Sequence, residues 1–231
     1  MPLLSKRNEM AVNFDTIAYF YDQLSKVVFG KALQQSQWCT LPFIPVQATV
    51  LILGGGSGWY LKSLLQERQV KKIVYVEASA AMLRLSQQNI ASVSCSTEIE
   101  FRLGTEKSIR YDEKFDVVIT HFVLDLFPEP QVNSMIHLLY PALHQNGIWL
   151  CSDFELSGQQ AGQWWKKSLI SAMYIFFRWV SKVKARVLPD IHGLLVSCHL
   201  HCQYEATFYR GLIAARVYRK GDKSAVLKSE S

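Results

Sequence analysis

Two hydrophobic rhythms alternate along residues 46–153. Short apolar runs of strand length take turns with segments in which apolar residues recur every three or four positions. The run at 49–53 carries no charge, the pattern of a strand buried on both faces of a parallel sheet. Residues 71–77 form a β-branched run ending in Glu77, and 97–103 alternate with period two. Strand patterns follow at 114–120 and at 147–153, the second after a turn at 144–147. Between them, Leu61, Leu64 and Leu65, then Met82, Leu83 and Leu85, then Val132, Met135, Ile136, Leu138 and Leu139 mark the buried sides of three helices. Strands alternating with helices predict a mostly parallel sheet covered on both faces.

The flanks follow another pattern. Phe14, Ile17, Ala18, Tyr21 and Leu24 predict an amphipathic leader helix, closed by Gly30, with a second helix over 32–38. Pro42 and Pro45 punctuate the passage into the first strand. A long helix is predicted over 163–182, its polar face a narrow stripe of Lys167, Ser171, Tyr174, Arg178, Ser181 and Lys182. A short helical piece begins at Pro189-Asp190-Ile191, a strand is read at 198–202, and 206–219 close as a strand in a hairpin. The expected organisation is a single domain over 1–231. It comprises a helical lid over 1–45, an α/β core over 46–219 and a mobile polar tail over 220–231.

The first apolar strand breaks into Gly54, Gly55, Gly56, Ser57 and Gly58 before the next helix. Four glycines in five positions are costly in backbone entropy, and they let a ligand approach the main chain closely. The helix behind them offers main-chain N–H groups. Dinucleotide sites favour G-x-G-x-x-G, but the third glycine would fall on Trp59 or Leu61. The spacing present is G-x-G-x-G. Glu77 follows Gly58 by 19 residues at the end of the second strand, where a carboxylate can accept hydrogen bonds from both hydroxyls of a ribose. Ser79 is placed to cap the helix that follows. His121 and Asp125 are four apart and would meet on one helical turn, with His121 either a base or a histidine at a strand end. Cys198, His199, His201 and Cys202 invite a metal reading, but on a strand the thiols and imidazoles face opposite ways, so no metal is expected.

Composition narrows the partners. The chain has 231 residues, 49% of them hydrophobic, and no apolar run of membrane-spanning length. Five scattered cysteines suggest a reducing compartment, hence a cytoplasmic protein. The net charge of +6 divides unevenly: residues 1–155 hold 13 Lys/Arg and 15 Asp/Glu, the remainder 12 and 4. A basic second part admits an anionic substrate, a membrane surface or nucleic acid. No nucleic-acid-binding motif accompanies it, and none is expected to bind. Oligomeric state is not legible.

The glycine turn with Glu77, the segment from Phe115-Asp116 to Phe127-Pro128, and the leader F-D-x-x-A-x-x-Y-D-x-L together resemble class I S-adenosylmethionine-dependent methyltransferases, in particular those of ubiquinone and menaquinone biosynthesis. The resemblance implies a doubly wound, Rossmann-like seven-stranded sheet of order 3-2-1-4-5-7-6, strand seven antiparallel, with an N-terminal helical lid. It implies S-adenosylmethionine as cofactor. Tyr21, Gly54, Gly55, Gly56, Ser57, Gly58, Glu77, Ala78, Met82, Thr105, Glu106, Thr120, His121 and Phe122 would surround it. Thr105 or Glu106 would meet the adenine amino group, and His121 and Asp125 are the candidates for proton handling. Ile52 departs from the pattern, which commonly has an acid there. The implied activity is in-line methyl transfer to a small organic acceptor, apolar or aromatic, held between the aromatic leader and 163–182. A nucleoside-binding protein without transfer activity and a nicotinamide-dependent oxidoreductase are the alternatives.

Overall fold

The computed structural model describes residues 29–155 and 188–221. Seven strands form one sheet: β1 (Thr49–Leu53), β2 (Lys72–Glu77), β3 (Glu98–Leu103), β4 (Phe115–His121), β5 (Leu143–Phe154), β6 (Leu200–Phe208) and β7 (Ile213–Lys220). Their order is β3-β2-β1-β4-β5-β7-β6. Strands β1 to β5 pair in parallel, and β7 runs antiparallel to both β5 and β6. This is the doubly wound sheet that the sequence implied. The helices are α1 (Ala32–Trp38), α2 (Trp59–Glu67), α3 (Ala80–Ile90), α4 (Glu129–Ala142) and α5 (Ile191–Ser197). The leader helix with Tyr21 and the helix over 163–182 lie outside the described residues.

Strand β1 is the centre because both of its faces are apolar. Leu51 and Leu53 pack with Val74, Val118 and Trp149 beneath Met135, Ile136 and Leu139 of α4. Val50 and Ile52 pack on the other face with Ile73, Val117 and the α2 residues Leu61 and Leu64. Each such side chain, once fully buried, contributes roughly 1.5–3 kcal/mol. Chain order reverses between β1 and β4, and in sheets of this kind the crevice at the carboxyl ends of those strands takes the ligand.

Three local readings are corrected. Residues 144–147 are not a free turn but an outward bulge within β5: Leu143 pairs with Phe115, and the register resumes at Ile148 opposite Val117. Asn146 turns the chain there at φ 62°. The hairpin strand read from 206 is two strands, because Tyr209, Arg210 and Gly211 all take positive φ and reverse the chain. Lys220 does not open a mobile tail. It ends β7, buried, and its ammonium donates to the carbonyls of Tyr140 and Leu143 at 2.7 Å each. A cation at a helix carboxyl end meets unsatisfied carbonyls and the negative end of the helix dipole.

Candidate functional site

The turn between β1 and α2 is built from glycines with different duties. Gly54, Gly56 and Gly58 hold φ of 66°, 60° and 80°, where a side chain is strained. A Cβ on Gly54 would strike Val123, and one on Gly55 would strike the Tyr75 ring. A Cβ on Gly58 would lie 2.6 Å from the Ser86 side chain, so this glycine lets α2 and α3 approach. Gly56 alone of the four faces open space, with nothing within 4 Å among the described residues. Three glycines therefore serve packing, and the fourth keeps a space clear. Gly58→Ala should cost on the order of 2 kcal/mol, from the left-handed φ and the displaced helix together. Chemical denaturation of the variant measures it.

Side chains pin the turn from below. The Tyr75 hydroxyl donates to the Gly56 carbonyl at 2.9 Å, and the Asn89 amide donates to the Ser57 carbonyl at 2.8 Å. Glu77 ends β2 buried beside the turn. One carboxylate oxygen accepts the Gly56 N–H and the other the Ser79 N–H, both at 2.9 Å. The Ser79 hydroxyl accepts the Met82 N–H at 3.2 Å and caps α3, as its position suggested. Ala78 is half-buried beside it, and Met82 is buried.

The other predicted residues fall around the same strand ends. Thr105 is exposed and caps the single 3-10 turn Glu106–Ser108, while Glu106 is half-buried. The Gly104 N–H, donated to the Glu77 carbonyl at 2.9 Å, ties this turn to β2. Thr120 points into the core and accepts the Trp149 indole N–H at 2.8 Å. Phe122 turns at φ 54° and packs on Phe154 with ring centroids 5.4 Å apart.

His121 and Asp125 do not meet on one helical turn. Strand β4 continues through His121, and Phe122 then redirects the chain, so the two side chains are buried in different surroundings. His121 stacks edge-on against Tyr60 at 4.7 Å, and its Nε2 lies 3.3 Å from Thr40 Oγ1. The one Thr40 hydroxyl proton is given to the Gln37 carbonyl at 2.6 Å. Thr40 Oγ1 can therefore only accept, from Tyr60 at 3.1 Å and from His121. This fixes the tautomer: Nε2 carries the proton, and Nδ1 is a buried lone pair with no hydrogen-bond partner among the described residues. Burial holds the imidazole down to about 3, so the ring is neutral. Its folded-state value lies below the unfolded one, so stability should fall as pH drops from about 6.5 towards about 3, by several kcal/mol. His121→Gln, which keeps a donor towards Thr40, should remove that component from the pH dependence of urea unfolding.

Asp125 lies in the 3-10 turn Leu124–Leu126 and hydrogen-bonds the Asp153 carboxyl at the end of β5. Burial pushes Asp125 up to about 7. Burial, then the neighbouring Asp125 charge, pushes Asp153 well above the carboxylate range. Two buried carboxyls in contact keep a proton between them because both cannot ionise together. The Cys151 thiol donates to Asp153 Oδ2 at 2.7 Å. Sequence reasoning passed over Asp153, although it closes an apolar strand as Glu77 does. It also passed over Thr40 and Tyr60, which nothing in their local pattern links to residue 121.

Residues 50–147 match the family model for a methyltransferase domain. That stretch, under half of the chain, is similar to such a domain. Among solved structures, the domain resembles the 1,6-didemethyltoxoflavin N1-methyltransferase of Burkholderia thailandensis, solved with 1,6-didemethyltoxoflavin and S-adenosylhomocysteine. The TM-score is 0.64 at 14% identity, over 92% of this chain and 88% of that one. It also resembles the N-methyltransferase NodS of Bradyrhizobium japonicum in complex with S-adenosylhomocysteine. There the TM-score is 0.59 at 14% identity, over 82% and 86% of the two chains. At such identities the likeness is one of fold. The polyamine aminopropyltransferase of Moorella thermoacetica is 23% identical over 113 residues, 46% of this chain. The match spans 40% of that curated relative's length.

Proposed function

We propose that the chain is an S-adenosylmethionine-dependent methyltransferase that acts on a small organic acceptor. The observation that carries this reading is the pairing of Gly56 with Glu77. The one glycine of the turn that faces open space is bonded through its N–H to the carboxylate closing the next strand. Such a pair accommodates a nucleoside, its ribose hydroxyls donating to Glu77 and its chain passing over Gly56. The cofactor supplies an activated methyl group on a sulfonium. In this reading Gly54, Gly55, Ser57 and Gly58 shape its floor, and Ala78, Met82, Thr120 and Phe122 border it. Thr105 or Glu106 takes the adenine amino group, and Tyr21 covers it.

The residues mainly align and desolvate, because in-line displacement from a good neutral leaving group needs little else. A base is required only where the acceptor must lose a proton. A small apolar or aromatic acceptor fits the aromatic side chains that border the strand ends, Phe122, Phe154 and Phe29 among them. Among the described residues, no helix is long and apolar enough to cross a membrane. Calorimetric titration with S-adenosylmethionine, S-adenosylhomocysteine and NAD tests the reading. Binding of the first two and not of NAD is expected, and the reverse would sink it. Binding without methyl transfer to any acceptor would favour a nucleoside-binding protein, a reading that buried, apolar Ile52 supports.

A further inference from the structure

A cavity of about 300 Å³ opens beside the carboxyl end of β5, walled by β7 and by the start of α5. Asp153 lines it. That side chain is 5% exposed, and its Oδ1 has no hydrogen-bond partner among the described residues. A buried polar atom left without a donor is costly, and such atoms in native structures call for an explanation. The charges around the cavity point one way. Glu155 and Asp190 line it with Asp153, against a single cation, Arg216. Arg216 is itself ion-paired to Glu155 and Glu205. The remaining polar lining is His192, whose Nδ1 lies 3.0 Å from the Tyr218 hydroxyl. Asp125 and Cys151 meet Asp153 from behind. The cavity is thus acidic, partly apolar through Phe154, Leu188 and Ile191, and of the size that takes a small molecule.

Resting on the methyltransferase reading above, we propose that this cavity holds the methyl acceptor, and that the acceptor presents a basic nitrogen to the Asp153 carboxyl, backed by Asp125. Asp153 adjoins the turn after β4, and in that turn Val123 packs against Gly54. Val123, whose backbone hydrogen-bonds Asp153, thus links the cavity's carboxyl to the glycine turn. An amine enters as its ammonium ion, because its ordinary pKa is near that of lysine, about 10.4. The ammonium proton passes to the Asp153–Asp125 pair and uncovers the nitrogen lone pair. That pair attacks the methyl carbon; the C–N bond forms as the C–S bond breaks, and its electrons stay on sulfur as a neutral thioether. Asp125, behind Asp153, ionises as pH rises through about 7, so affinity for a cation should rise in the same window.

The test is calorimetric titration of the full chain, saturated with S-adenosylhomocysteine, with benzylamine and 1,4-diaminobutane, each against its alcohol counterpart. The amines are expected to bind about tenfold or more tightly than the alcohols, and more tightly at about pH 8 than at about pH 6. Asp153→Asn should abolish the preference. Glu155→Gln, on the cavity wall, leaves Arg216 less neutralised and should reduce it. Amines that bind no better than alcohols would overturn the proposal, as would a preference that survives in Asp153→Asn. Should that variant not fold, an undiminished preference in Glu155→Gln overturns it. S-adenosylhomocysteine affinity, measured on the same samples, separates the two failures. Intact affinity with no amine preference sinks only the acceptor assignment, and lost affinity sinks the methyltransferase reading itself.

Discussion

Gly56→Val is expected to abolish S-adenosylhomocysteine binding in a protein that still folds. Gly56 holds φ 60°, and no heavy atom of the described residues lies within 4 Å of where its Cβ would stand. A valine there displaces no neighbour among the described residues, so the cost to the fold is the backbone strain of a β-branched residue in the left-handed region, on the order of 1–3 kcal/mol. The cost to the ligand is different in kind, because two methyl groups occupy the space that the turn keeps clear. Calorimetry should show no detectable heat of binding, while far-ultraviolet circular dichroism stays that of the wild type. Gly55→Val provides the contrast. There the side chain would strike the buried Tyr75 ring, so the fold should suffer first. Unchanged affinity in Gly56→Val would remove the ligand from this turn.

Glu77→Gln should weaken S-adenosylhomocysteine binding by about tenfold to a hundredfold, since a hydrogen bond to a charged group contributes roughly 1.5–3 kcal/mol. The structure gives this change a second consequence. Each Glu77 oxygen accepts a main-chain N–H, from Gly56 and from Ser79. A glutamine supplies one acceptor and one donor, so one of those N–H groups would face an NH₂. Thermal unfolding should therefore fall along with affinity, and the turn should loosen before the sheet does. Glu77→Gln binding as tightly as wild type would show that the carboxylate does not contact the ligand. Unaltered stability with weakened binding would instead show that the turn does not depend on its charge.

Local pattern determined much of this protein. The uncharged run at β1, the acid closing β2 and the glycines between β1 and α2 are features of neighbouring residues. Their consequences are set by backbone preference and burial within one element: a two-faced strand, a left-handed turn, a capped helix. That is why a mostly parallel sheet, the glycine turn and Glu77 could be placed from local pattern, while the strand order came from the family resemblance. The hairpin at 209–211 and the bulge at 144–147 were misread for the converse reason. Tyr209 and Arg210 take positive φ although their side chains discourage it, and Asn146 takes it more readily; in each case the pairing of distant strands decides where the chain turns.

The chemistry beside the turn belonged to tertiary structure alone. His121 and Asp125, four apart in sequence, are held by different partners because β4 runs through His121 and the chain turns at Phe122 before the 3-10 turn that holds Asp125. The tautomer of His121 rests on Thr40, 81 residues away, whose only proton is taken by Gln37. The raised Asp125 rests on Asp153 at the end of another strand. Protonation depends on desolvation and on charges a few ångströms off, and sequence distance does not measure either. The sequence by itself could name the residues able to carry a proton. Only the packing of β4 against β5 decided that two aspartates share one while the histidine remains neutral.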